Sequence, residues 1–250
     1  MQQDSAVTSA AWLDAWEAAQ RQPPGLREAT LLAPACGRDP DELARLPLGQ
    51  RDRLLLDLRH ALFGATMPCT TSCPACHERC EWTCDVTALR LPDGLCLTGA
   101  DTAPHVWAHG GWSLQWRPAD GHDLAAAAAG QDEDDARQRL LGRVLSDVQH
   151  HGQPTSVAAL PPDVLAALDA TMADADPQTT LQLDMACPAC GHAWTAPLDV
   201  GAYLWAEFDA WAQRTLLEVH QLAARYGWRE PDVLALPPAR RARYLALSDT

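Results

Sequence analysis

The tetrapeptide CPAC occurs at residues 73–76 and again at 187–190, in the settings TTSCPACHERCEWTCDV and DMACPACGHAWTAPLDV. One Cys-x-x-Cys pair offers a metal two thiolates, whereas structural zinc takes four ligands in a tetrahedron. Two such knuckles facing each other supply that number, so Cys73, Cys76, Cys187 and Cys190 are the expected ligands of one Zn2+. With four protein ligands no position is left open for a substrate, which makes the expected site structural. The plainer alternative is that each pair is a buried thiol pair or a redox couple by itself.

The two stretches superpose without gaps at a constant offset of 114 residues, from Cys73 and Cys187 to Asp85 and Asp199. Cys80, Trp82, Cys84 and Val86 recur every second residue, as do Trp194, Ala196, Leu198 and Val200, so each knuckle feeds a half-buried strand. Leu181, Leu183 and Met185 alternate ahead of the second knuckle and give its incoming strand; the first knuckle's incoming strand reads as shorter. Gly191 suits the tight turn after Cys190, and His77 at the same place predicts a distorted first knuckle. Cys80 and Cys84 lie on the apolar side of their strand and, with Cys36 and Cys96, read as packing thiols. Cys69, Cys73 and Cys76 also have the C-x3-C-x2-C spacing of radical enzymes that hold an iron-sulfur cluster. Ala75 occupies the usual aromatic position, and the repeated strand-helix units that chemistry needs do not follow.

The elements that must position these thiols are mostly helical. Trp12, Leu13 and Trp16 share a face of a helix over 9–20, LREATLLAPAC gives a second, and Asp39 caps a third near Pro40. After Pro47, Leu54, Leu55, Leu58, Leu62 and Phe63 form a stripe that ends at Gly64. HVWAHGGWSLQW reads as a hairpin turning at Gly110-Gly111, with Trp107, Trp112, Leu114 and Trp116 packing, and with His105 and His109 as ordinary side chains on the Trp107 face. QDEDDARQRLLGRVLSDVQHHG predicts one helix that buries Leu140, Leu141, Val144, Leu145 and Val148 and ends near His150-His151. A helix opened by Pro161-Pro162 and closed at Asp176-Pro177 leads to the second knuckle. A long helix from Tyr203 to Tyr226 stops at Gly227, and two short helices with early prolines follow.

The fold class is therefore α+β, mostly helical, with a split four-cysteine zinc ribbon made of two β-hairpin knuckles and an inserted hairpin plus helices. The expected organisation is an N-terminal helical segment over 1–68, a split zinc-ribbon core over 69–200 with an inserted hairpin (104–117) and helices (121–175), and a C-terminal helical segment over 201–250.

The formal charge of −14 sets the surface field against a phosphate backbone, so nucleic acid is an unlikely partner. No secretory leader or membrane-length apolar stretch is read, which points to cytoplasmic synthesis, with reduced cysteines and no membrane partner. No nucleophile elbow, phosphate loop or His-Glu zinc helix is present, so the sequence points to a non-enzyme without a small-molecule substrate. Ten tryptophans suit both cores and contact hot spots. Near the end, Trp228, Arg240, Arg241, Arg243 and Tyr244 form the candidate partner-binding group, within a docking helix pair over 228–247. The competing reading is a zinc-ribbon nucleic-acid-binding or regulatory adaptor.

Four stretches carry a family resemblance: LPLGQRDRLLLDLRHALFG leading into CPAC, WRPADGHDLAAAA, CPACGHAW, and the ending EVHQLAARYGWREPDVLALPPARRARYLAL. In their order they resemble zinc-knuckle members of the baseplate hub assembly chaperone family of contractile-tailed phages and extracellular contractile injection systems. The resemblance implies a structural or assembly protein that contacts other baseplate, hub or spike proteins and either helps to build a phage tail-like particle or is incorporated in it. One departure is Ala119, which stands where Thr or Ser is more usual after Pro118 and removes the hydroxyl cap expected there.

Overall fold

The computed structural model describes residues 7–92 and 103–248; the thiol of Cys96 falls outside them. Helix α1 (Ser9–Ala19) begins where Thr8 accepts a hydrogen bond from the Ala11 amide, and α2 (Leu26–Cys36) ends on left-handed Gly37. Helix α3 (Pro40–Ala44) is capped by Asp39, and α4 (Leu48–Phe63) starts directly after Pro47. The first cysteine hairpin follows, with β1 (Thr66–Ser72) and β2 (Arg79–Asp85), and then the single turn α5 (Val86–Leu89).

The inserted region contains β3 (His105–His109), β4 (Trp112–Trp116), α6 (Gly121–Ala128), α7 (Glu133–Val144), β5 (Leu145–His150), β6 (Gln153–Pro154) and α8 (Pro162–Ala175). Its strands form one antiparallel sheet in the order β3-β4-β5-β6. The second cysteine hairpin, β7 (Gln182–Ala186) and β8 (Ala193–Pro197), leads into the 27-residue α9 (Val200–Tyr226). Helices α10 (Glu230–Leu234) and α11 (Pro238–Ser248) complete the described chain. The architecture is the mixed, mostly helical α+β type with small hairpin sheets that the residue patterns predict.

Among the described residues two large apolar cores form, beside a small cluster around Cys73, Cys80 and Cys187. The larger joins α1, α2, α3 and α4 to Leu204, Phe208, Ala212 and Leu222 of α9, with Met67 and Cys69 of β1 at its edge. Residues on both sides of the two hairpins thus share one interior, and Trp16 reinforces it by donating its indole N–H to Asp209 at 2.9 Å. The second core belongs to the insertion, where Trp107, Trp112, Leu114 and Trp116 pack on Leu141, Val144, Leu145, Val164 and Leu168.

The junction between the cores is tight and polar. A Cβ on Gly25 would stand 2.3 Å from the Gly121 carbonyl oxygen, and one on Gly121 would stand 2.8 Å from that of Gly25. Only glycine lets these backbones approach. The missing hydroxyl at Ala119 is replaced by its neighbour: Asp120 caps α6 by accepting from the Asp123 amide. Asp123 is fully buried and binds Arg117 through Nη1 at 2.6 Å and Nη2 at 2.9 Å, and Arg143 through Nε at 2.7 Å.

One helix is shorter than its periodicity predicts. It stops at Val144, and Leu145–His150 form β5 beside β4. The register between these strands shifts at Ser113 and Gln115, and Asp147 takes a left-handed φ of 50°, so β5 carries a bulge. The extra residue turns Leu145 and Val148 to the same buried side although they are three apart. A bulged strand therefore mimics the helical spacing. His150 and His151 consequently sit at a strand turn, with His151 left-handed at φ 48°, and not at a helix end.

Candidate metal centre

The repeat read at an offset of 114 residues is a repeat of structure. In the first hairpin the innermost pair is Ser72 with Arg79, and in the second it is Ala186 with Ala193. Each knuckle is closed by the same two backbone bonds: Cys73 N donates to Glu78 O and His77 N to Cys73 O, while Cys187 N donates to His192 O and Gly191 N to Cys187 O, all at 2.9 Å. Each outgoing strand leads to an aspartate that caps a helix, Asp85 at the end of β2 for α5 and Asp199 two residues after β8 for α9.

Two expectations about the first hairpin are corrected by this geometry. Its incoming strand has seven residues against five in the second, because polar Thr70, Thr71 and Ser72 still pair fully with β2. Its knuckle is undistorted as well, since His77 adopts φ 61° where Gly191 has 72°. An L-residue pays about 1 kcal/mol for that conformation. His77→Gly is therefore expected to raise the melting temperature by roughly 2–4 °C with metal content unchanged, checked by thermal melting and metal analysis.

The four CPAC thiols meet. Their sulfurs all lie within 4.8 Å of one another, with Cys73 Sγ 3.7 Å from Cys190 Sγ and Cys76 Sγ 3.6 Å from Cys187 Sγ. A tetrahedron with Zn–S bonds of about 2.3 Å has sulfur–sulfur edges of about 3.8 Å, so the donor set fits a four-thiolate ion. Cys73 and Cys187 are buried, and Cys76 and Cys190 are exposed. Cys80 and Trp194 pack beside them.

The electrostatics suit the same use. The amides of Cys190 and Ala189 point at Cys187 Sγ and, outweighing its burial, hold this thiol at about 6. Cys76 is pushed up to about 12: the Glu78 amide pulls it down, but hydrogen bonds with the thiols of Cys190, Cys187 and Cys73 outweigh that. A thiolate at Cys187 beside a Cys76 thiol that resists ionisation is an arrangement that a divalent cation resolves by displacing a proton. Away from the cluster, Cys69 rises to about 11, foremost through burial, in keeping with a packing thiol.

Residues 30–198 match the protein family described as T4 bacteriophage base plate protein. The chain belongs to that family. The matched range of this baseplate protein contains both cysteine pairs and the whole insertion, and stops at Leu198, before α9. No curated protein and no solved structure matches it.

The C-terminal candidates do not all face outward. Arg240 and Arg243 are exposed, and Trp228 lies between Tyr226, stacked at 4.8 Å, and Tyr244, edge-on at 4.9 Å. Arg241 is instead 1 % exposed, with Nε 2.7 Å from Glu218 and Nη1 donating to Leu236 O. Its expected place on the contact surface is corrected: on α11 it points at α9 and locks the two together.

Several buried charges escape pattern reading altogether. Arg59 makes a two-pronged bond to Glu207, 148 residues away, and Tyr203 alongside donates to Pro68 O at 2.6 Å, fixing α4 and α9 to the first hairpin. A cleft of about 530 Å³ between the starts of α2, α4 and α9 is lined by Arg27, Glu28, Arg51, Asp52 and Asp199. These groups satisfy one another: Glu28 takes the Gly25 amide and Arg27, Asp52 takes Arg51, and Asp199 takes the Ala202 amide. Burial pushes the Asp52 carboxyl up against the pull of Arg51.

Proposed function

We propose that this baseplate protein is a non-enzymatic structural or assembly component of a contractile tail or injection-system baseplate, of the hub assembly chaperone type. In this reading one structural Zn2+ on Cys73, Cys76, Cys187 and Cys190 staples the split ribbon over 69–200, and the C-terminal segment docks to hub or spike proteins. The observation that carries it is the meeting of four sequence-distant thiols at tetrahedral spacing in a chain of the baseplate family. Such a closed centre stabilises and orients without reacting. Among the described residues no helix is long and apolar enough to cross a membrane.

Trp228, Arg240, Arg243 and Tyr244 form the proposed contact, because the two arginines stand free of the core beside an aromatic cluster. Deleting 228–247 is a poor test, since Val233 and Leu234 belong to the main core. Reversing Arg240 and Arg243 to Glu leaves that core intact. The double variant is expected to bind the purified hub or spike protein about tenfold more weakly, with an unchanged melting curve. Unchanged binding sinks this surface, and a salt-sensitive DNA mobility shift replaces the protein partner with nucleic acid.

A further inference from the structure

The insertion presents an open sheet edge. Strand β3 pairs with β4 on one side only, and among the described residues nothing pairs with its other side. Its hairpin turns through two residues, Gly110 and Gly111, both at positive φ, which makes the flanking pair His109–Trp112 a hydrogen-bonded one. Antiparallel pairing then alternates, so His105, Trp107 and His109 direct their backbone groups at β4. Val106 and Ala108 direct theirs outward.

Edge strands are usually guarded by lysine, proline, an inward charge or a bulge. Strand β3 reads His-Val-Trp-Ala-His and has none of these, its pairing with β4 is regular, and the whole chain contains no lysine. Val106 is 80 % exposed on the face opposite Trp107, whose ring is buried and whose indole N–H donates to Thr171 at 3.1 Å. The strand is thus anchored from behind while, among the described residues, its edge is unpaired and Val106 stands exposed.

We propose that β3 is a docking edge that accepts an extended, basic segment of another baseplate protein as a fifth strand of the β3-β4-β5-β6 sheet. Backbone bonds to Val106 and Ala108 supply the attachment, and an apolar side chain beside Val106 supplies the register. Charge selects the occupant. Between residues 103 and 180 the chain carries eleven Asp and Glu against four Arg, so two copies meeting edge to edge repel while a basic strand is drawn in. The inference rests on membership of the baseplate family, and neither on the metal nor on the C-terminal contact.

The test is hydrogen exchange on the full chain, alone and with each purified baseplate protein of its own particle, together with Val106→Pro. In the free chain the Val106 and Ala108 amides should exchange quickly and the Trp107 amide slowly. With the right partner both outward amides should slow at least tenfold, also in the Arg240/Arg243 reversal variant, which separates this edge from the C-terminal surface. Val106→Pro removes only an outward N–H, so it should weaken binding at least tenfold with the melting curve unchanged, and Val106→Thr should restore it. Binding that leaves these amides fast, wild-type binding by the proline variant, or no slowing with any baseplate protein overturns the proposal. Concentration-dependent slowing in the chain alone overturns it too, by making a second copy the occupant.

Discussion

Replacing Cys187 by serine is expected to reduce metal content from about one zinc per chain to near zero and to lower the melting temperature by roughly 10–20 °C. The magnitude follows from what the ion holds together. Cys76 and Cys187 are 111 positions apart, and a cross-link closing a loop of that size removes about 5 kcal/mol of conformational freedom from the unfolded chain. The Cys190 and Ala189 amides also hold the Cys187 thiol low, so its removal takes away a thiolate that attracts a cation. Wild-type protein stripped by a chelator should melt with the variant. A variant that keeps its zinc, or a stripped wild type with unaltered melting, would remove the staple from the account.

A second large effect belongs to Asp123 of α6. Its carboxylate is fully buried and ties Arg117 after β4 to α6 and to Arg143 of α7. Burial pushes the carboxyl up, but the Arg117 bonds, the Asp120 amide and Arg143 together pull it below the ordinary range. Asp123→Asn is expected to cost about 3 kcal/mol, since breaking a buried pair strands its partners. The sign of the pH dependence follows. A carboxyl with a depressed folded pKa stabilises fully above its unfolded value near 4, and the stabilisation fades as pH falls through the folded value. Denaturation curves of wild type and variant should therefore lie apart at pH 7 and converge in acid; a constant separation would mean that the aspartate acts by shape alone.

What the sequence makes legible divides along physical lines. The four thiols could be assigned to one site because a metal demands a fixed number and kind of donor, and the repeat supplied that number twice. Helices α1, α2, α8 and α9 announce themselves through stripes, caps and prolines, all local signals. Strand β5 is hidden because a bulge reproduces the three- and four-residue spacing of a helix face. Strand β1 reads as too short because Pro68 and a polar run disguise a segment whose pairing comes from β2 and whose anchor, Tyr203, lies 135 residues on. Arg59 and Asp123 carry no local signal, and Arg241 reads as a surface charge, because the partners that bury them are chosen by tertiary structure. Arg241 shows it most plainly, lying between two exposed arginines and facing Glu218 of another helix.

The separation of the two CPAC hairpins has a consequence for biosynthesis. A ribosome adding about 5–20 residues per second leaves the first hairpin waiting roughly 6–20 s for its counterpart. During that interval the intervening lobe, which has its own apolar core, can fold and draw the ends of the nascent segment toward each other. Metal captured early would be held by half a ligand set and exchange freely, so an ion on all four thiols would be committed only after translation has passed Cys190.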